Sequence, residues 1–454
     1  MKEDLILKIK KLFELTNNNI CNHCLGRKFS DILSQEWVFN ELKNMDHFID
    51  LTKVVDSEVN KLRGIAIRNK LGDEKYLNYN SCEICGDIFE NIDKEAILKK
   101  IDEKVKFLSL EYNSFLIGNK IPKEVLEKDL MINTELDIES ENIKKEINRV
   151  IGEEWESLTK REVKFENPDV VIVVDLRKIF KEMENNNSLK IESNSFLKND
   201  NELIKVRIQI NPLFIEGRYL KLIRGIPQTK WPCRKCRGRG CESCNFTGKL
   251  YDESIEELIY YNLKIATNSF KSKFHGAGRE DIDVRMLGNG RPFVIEIIEP
   301  KIRNIDLNKL NKEINQHCKG KAKFLDLNFC SKSRIAELKV SSPDTFKIYC
   351  ATIKSEDKIS EEDLEKLQTL NIIKQETPNR VIHRRADLLR IKEVKNLNTY
   401  FINDNIFKMK IKTEGGLYIK ELISGDENRT KPNVSKVLNT KCVCKELDVI
   451  EVVK

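Results

Sequence analysis

The chain has 454 residues, 40% of them hydrophobic and 34% charged, which is the length of two or three domains and the composition of a soluble globular protein. A net charge of +7 permits a nucleic-acid partner, and the longest apolar run, Val170 to Val174, is far too short to span a membrane. The start Met1-Lys2-Glu3-Asp4 lacks a secretory apolar core, so a cytoplasmic location is expected, and the 13 cysteines read as metal ligands or isolated thiols before disulfides.

Leu5, Ile6, Ile9, Leu12 and Phe13 are spaced as on an amphipathic helix. Alternating strands and helices follow from about residue 86. Phe107 to Leu110 and Ser114 to Gly118 read as strands, Ile138 to Val150 as a helix, and Val170 to Val174 as a buried strand with a helix from Leu176. Farther on, Glu256 to Ser269 reads as a helix and Phe293 to Ile298 as a strand. The expected architecture is α+β: a zinc-binding segment over 1–85, a second domain of alternating helices and strands over 86–228, and a third domain over 229–454. In that third domain a mainly antiparallel sheet is flanked by helices.

Cysteines supply the sharpest spacing. Cys233-x-x-Cys236 and Cys241-x-x-Cys244 are two knuckles joined by a tetrapeptide, within a segment 231–249, and can wrap four thiolates around Zn²⁺. Gly238 and Gly240 supply the tight turns. Cys21-x-x-Cys24 and Cys82-x-x-Cys85 form a second set across a longer gap. Four sulfurs leave no open position, so both sets read as structural. Pro232 and Cys233 start half of a zinc-deaminase signature, but none of the five histidines begins the H-x-E that would complete it. P-loop, GxGxxG, GxSxG and HExxH patterns are absent, which leaves nucleotide hydrolysis, dinucleotide redox chemistry, serine hydrolysis and metalloprotease action unsupported.

Two basic clusters stand out: Lys230, Arg234, Lys235, Arg237, Arg239 and Lys249, and then Arg380, His383, Arg384 and Arg385. A solvated face explains either as well as RNA does. Between Gly276 and the apolar residues from Val284 lie Arg279, Glu280, Asp281 and Asp283, with Arg285 beyond. Arginines favour the charged form of a neighbouring carboxylate, which suits a nucleophile or base. Taken alone, the run could equally be a salt-bridged loop.

The stretch from Ala277 to Phe293 resembles the catalytic segment of the pseudouridine synthase family called Pus ten. Further blocks resemble the same family in the same order: Lys347 to Ala351, Gln375 to Arg385, Tyr418 to Leu422, and Gly425 to Asn433. Residues 86–228 resemble a THUMP-type RNA-binding region, and the N-terminal CxxC pairs the family's zinc-binding start.

The resemblance implies an isomerase that converts uridine to pseudouridine in tRNA, with T-loop positions 54 and 55 as the targets. Asp281 matches the family's aspartate, ahead of Glu280 and Asp283. Arg279 would fill the vacated base stack or contact phosphate. Tyr349 would stack on the flipped uracil, Lys420 would pair with Asp281, and Leu422 would floor the pocket. Arg380, Arg384 and Arg385 would bind RNA. Catalysis would need no cofactor, with Zn²⁺ only structural at the two cysteine sets; tRNA would be the partner of a monomeric chain. The alternative is a non-catalytic, zinc-containing tRNA-binding protein or RNA chaperone.

Overall fold

The computed structural model describes residues 3–43, 54–185, 203–340 and 346–453, together with all their side chains except those of residues 183–185, Arg384 and Val453. The chain forms two compact units, 1–211 and 212–454. The division falls earlier than the expected 228. The strand β5 described below hydrogen-bonds only within the second unit's sheet, which draws the segment before 228 into that unit.

In the first unit, helices α1 (Glu3–Leu15), α2 (Asn22–Lys28), α3 (Gln35–Lys43), α4 (Asp56–Leu71), α5 (Ile88–Asn91) and α6 (Lys94–Leu108) precede strand β1 (Ser114–Lys120). Then come α7 (Lys123–Leu136), α8 (Ile143–Thr159), β2 (Glu162–Val163), β3 (Val170–Asp175), α9 (Arg177–Asn185) and β4 (Lys205–Ile210). The sheet order is β2-β1-β3-β4, with β1 parallel to both its neighbours and β3 antiparallel to β4. Alternate residues of β3 (Val170, Ile172, Val174) are buried beside Phe115, Ile117 and Trp155.

Where a strand is expected at Phe107 to Leu110, Phe107 and Leu108 instead end α6 and Ser109 caps it. Ile97, Ile101 and Val105 recur every fourth residue on one buried face, and Asp93 caps the first turn through Ala96 N–H at 2.9 Å. The helix expected from Ile138 begins at Ile143, where the Asn142 side chain accepts from Lys144 N–H.

The second unit comprises β5 (Leu213–Lys221), α10 (Ile255–Thr267), β6 (Lys271–Gly276), β7 (Val284–Ile298), α11 (Leu307–His317), β8 (Ala322–Phe329), α12 (Ser333–Val340) and β9 (Phe346–Ser355). After these come α13 (Glu361–Glu365), β10 (Ile372–Gln375), β11 (Arg390–Asn403), β12 (Ile406–Glu414), α14 (Ile419–Ser424), β13 (Thr430–Lys431), α15 (Val434–Val437) and β14 (Cys442–Val453). A ten-stranded sheet runs β13-β10-β11-β12-β9-β14-β7-β5-β8, with β6 on β7.

Every pairing in it is antiparallel except β14 with β7, where Leu447 aligns with Val284 and Val449 with Met286. That parallel join lets the start of β7 border β14 while its end borders β5 and β6. The loop before Val284 therefore opens near the middle of the sheet. Among the described residues no helix is long and apolar enough to cross a membrane.

Candidate active site

The charged run is the loop from β6 to β7. Gly278 turns it with φ of 79°, a left-handed conformation that a Cβ would strain. Buried side chains then take up the loop's carbonyls in turn. Arg291 Nη1 donates to Ala277 O at 2.9 Å, Gln228 Nε2 to Gly278 O at 3.0 Å, and Lys221 Nζ to both Asp281 O and Ile282 O at 3.0 Å. Glu280 points inward and is buried. Its oxygens accept from Tyr219 Oη at 2.9 and 3.0 Å and from Arg291 Nε at 2.9 Å.

Tyr219 and Arg291 face each other in the β5–β7 register, so strand pairing sets the two donors to Glu280 side by side. Filled hydrogen bonds offset much of the cost of burying these charges. Burial pushes the Lys221 ammonium down to about 8, and burial followed by the Glu280 charge pushes the Tyr219 phenol well up.

With Glu280 engaged inward, Asp281 is left facing the open side. Arg380 Nη1 reaches its Oδ1 at 3.2 Å and Oδ2 at 3.0 Å, while Lys420 Nζ stands 3.5 Å from Oδ2. Lys420 lies closer to Asp283, at 2.7 Å from both oxygens. Burial would raise the Asp283 carboxyl, but its bond to the Lys420 ammonium holds it below the usual range. Arg380 is itself braced from behind, with Nε 2.5 Å from Glu421 Oε1.

Asp281, Arg380 and Lys420 line a pocket of about 480 Å³. Strand β9 contributes Lys347 and Tyr349, two residues apart and therefore on one face. Burial pushes the Tyr349 phenol up to about 12, so it keeps its proton at neutral pH. Val284, Leu417, Leu447 and Val449 supply apolar wall, and Arg279 and Arg385 stand among the cations lining it. Arg279 also lies over the Trp231 ring, 5.7 Å from its centroid. At the rim, Arg385 Nη1 donates to Tyr418 Oη at 2.7 Å, and the guanidinium carbons of Arg380, Arg385 and Arg390 lie 5.8, 5.9 and 5.8 Å from the Tyr418 ring.

The fold thus brings together Asp281, Tyr349, Lys420, Arg279, Arg380 and Arg385 at one pocket. The side chain of Arg384 lies outside the described residues. Leu422 is the exception and requires a correction. It is 0% exposed within the core and does not line the pocket; Leu417 does. Successive residues on a helix point about 100° apart. On α14, with Lys420 at the pocket, Leu422 two positions later is turned to the opposite side. Arg380 was expected to bind RNA, yet it is also the nearer cationic partner of Asp281. Glu421, Arg291, Lys221 and Lys347 were not singled out by the sequence, although Arg291, Lys347 and Glu421 lie inside the resembling blocks.

Each cysteine set gathers its four sulfurs within 4.8 Å of one another. In the second unit the Sγ separations are 4.0 Å for Cys233–Cys241, 3.9 Å for Cys236–Cys244 and 3.7 Å for Cys241–Cys244. Four thiolates at about 2.3 Å around tetrahedral zinc stand about 3.8 Å apart, so the donor set fits that ion. Gly240 N–H points at Cys236 Sγ (3.2 Å) and Gly248 N–H at Cys244 Sγ (3.3 Å), while Gly238 and Gly240 take φ of 92° and 93°. Such N–H donors stabilise thiolate charge. In the first unit, buried Cys21 Sγ lies 3.6 Å from Cys85 Sγ, and Cys24 N–H points at Cys21 Sγ (3.4 Å). Both sets can hold a structural metal.

Two family descriptions match the chain: "Pus10, C-terminal" over residues 214–453 and "Pus10 THUMP domain, archaeal" over residues 97–175. The protein named tRNA pseudouridine synthase Pus10 from Methanothermobacter marburgensis is 44% identical over 450 residues, covering 99% of each chain. Proteins of the same name from Methanosphaera stadtmanae and Methanocaldococcus jannaschii are 44% and 40% identical. They cover 83% and 95% of this chain, and 89% and 92% of their own.

Proposed function

The chain belongs to the Pus10 family of tRNA pseudouridine synthases, and from that premise we propose that Asp281 is its catalytic carboxylate. The observation that carries this reading is the placement of Asp281. Of the two loop carboxylates that border the pocket, it is the half-exposed one and meets both Arg380 and Lys420, whereas Glu280 is buried and tied to Tyr219 and Arg291. Isomerisation breaks the N1–C1′ bond of uridine, turns the base and joins C1′ to C5, with the C5 proton leaving and N1 gaining one; nothing is oxidised or reduced. The reaction calls on no cofactor. Asp281 either bonds to C1′ or removes the 2′ proton, and the Arg380 and Lys420 cations hold it oriented for either.

A stacked base is out of reach, so the target uridine must leave the stack and enter the pocket. Tyr349 would lie against the uracil as a neutral phenol, with Val284, Leu417 and Val449 as apolar wall. Arg279 and Arg385 at the rim would take phosphates or fill the vacated stack, and Arg380 would add an RNA contact. The two cysteine sets would each bind one structural Zn²⁺. We place the target uridines at T-loop positions 54 and 55, in a monomeric, cytoplasmic enzyme.

Carbodiimide-blocked primer extension on unmodified tRNA tests this reading. Pseudouridine should appear in the T-loop with the wild-type protein. Binding of the tRNA with every T-loop uridine left unmodified would overturn the site assignment.

A further inference from the structure

Two buried lysines flank the Asp281 loop, and they differ in their partners. Lys221 is 0% exposed and gives three hydrogen bonds, each of 3.0 Å, to Ile226 O, Asp281 O and Ile282 O. Its three N–H donors are filled, which is how a fold retains a buried ammonium. Lys347 is 9% exposed, on central strand β9. No described residue offers its ammonium a hydrogen bond or an ion pair. The charges acting on it are Arg291 and Lys392, which repel it, and Glu280, which is already engaged by Tyr219 and Arg291. Burial, then the Arg291 charge, pushes it down to about 8.

The Lys347 side chain is buried while its ammonium opens to the pocket without a partner among the described residues. Desolvating that charge is costly, and an apolar side chain would fill the same position in a sheet without the cost. Four other cations of the site are engaged within the protein, and Arg279 lies over the Trp231 ring. Arg380 braces Asp281 and Glu421, Lys420 pairs with Asp283, Arg291 pairs with Glu280, and Arg385 holds Tyr418. Lys347 lines the pocket beside Tyr349 with its donors unfilled.

We propose that Lys347 is a substrate-contacting residue whose ammonium donates to an oxygen of the uridine nucleotide seated against Tyr349. The inference rests on the reading of this pocket as the active site. The acceptor is an oxygen of the kind found both in a uracil carbonyl and in the nucleotide's phosphate.

The test uses the full-length protein and a tRNA transcript carrying 5-tritiated uridine, with tritium release followed under single-turnover conditions. Lys347→Met should slow release by about 10- to 100-fold, the loss of one hydrogen bond from a charged donor, while tRNA affinity stays within about twofold. Its melting temperature should be unchanged or higher, since an unpaired buried charge has gone; a purely structural lysine would give the opposite. Lys347→Gln, which keeps a donor at reduced reach, should fall between Met and wild type. Transcripts with 4-thiouridine or 2-thiouridine at the target, or a methylphosphonate at its phosphate, locate the acceptor. The replacement that removes the true partner slows the wild type but has little further effect on Lys347→Met.

Release by Lys347→Met within about twofold of wild type overturns the proposal. So does a loss matched by a fall in melting temperature in both variants, or equal sensitivity of wild type and variant to all three replacements. Turnover by Asp281→Asn would bring down the pocket reading itself. An inactive Asp281→Asn beside a fully active Lys347→Met would bring down this proposal alone.

Discussion

Arg380 sits between two carboxylates, 3.0 Å from Asp281 on one side and 2.5 Å from Glu421 on the other, so the guanidinium is fixed before it orients the proposed catalytic group. Arg380→Met should lower kcat by roughly 10- to 100-fold, the worth of a charge-assisted hydrogen bond. Glu421→Gln, which weakens only the brace, should lose less. Equal single-turnover rates for wild type and Arg380→Met would show that Lys420 alone suffices.

Leu422 and Leu417 separate core from pocket. Leu422→Ala removes a fully buried side chain and should cost about 2–5 kcal/mol of stability, read by urea unfolding, with turnover of the folded fraction little changed. Leu417→Ala should instead raise KM or lower kcat, because Leu417 lines the pocket. The reverse pattern would restore Leu422 as the pocket floor.

Lys347 gives stability a pH signature. Its ammonium is pushed from 10.5 down to about 8 in the folded chain by burial. Below pH 8 both folded and unfolded chains carry the proton, and the cost of the buried charge is constant. Between 8 and 10.5 the unfolded chain binds more protons at this position, so its contribution makes stability rise with pH. Lys347→Met should therefore be more stable than wild type at pH 7, by an upper bound of about 3 kcal/mol, with the gap closing towards pH 10.5. Denaturant unfolding at pH 7, 8.5 and 10 measures it. A constant gap would mean that the amine is not the cause.

Metal content tests both cysteine sets. Elemental analysis should find close to two zinc atoms per chain, and Cys21→Ala and Cys236→Ala should each lose one. Chelation should lower the melting temperature, since a metal bound only by the folded chain stabilises it. A zinc content near zero after gentle purification would contradict both sites.

The sequence conveyed local geometry well and cross-chain geometry poorly. Cys233 to Cys244 close a knuckle within twelve residues, so spacing alone reveals it. The set of Cys21, Cys24, Cys82 and Cys85 needs three-dimensional packing of the helices between them, and its spacing is a weaker signal. Val170 to Val174 was legible because a short apolar run between turns has few other uses. The Glu280–Arg291–Tyr219 network was not, since it depends on the β5–β7 register that sets Tyr219 opposite Arg291. Lys221 and Lys347 are alike in sequence; only the fold gives one three carbonyls and the other none. Leu422 was misplaced because a resemblance block carries residue order but not the rotation of a six-residue helix.

The most direct test of the central claim is tritium release by Asp281→Asn on unmodified tRNA, read together with tRNA binding. The variant keeps the size and hydrogen-bonding shape of the side chain but loses its charge and nucleophilicity. It should bind tRNA within about twofold of wild type and release no tritium above background. Substantial turnover by Asp281→Asn would contradict the assignment and return the role to another carboxylate of the loop.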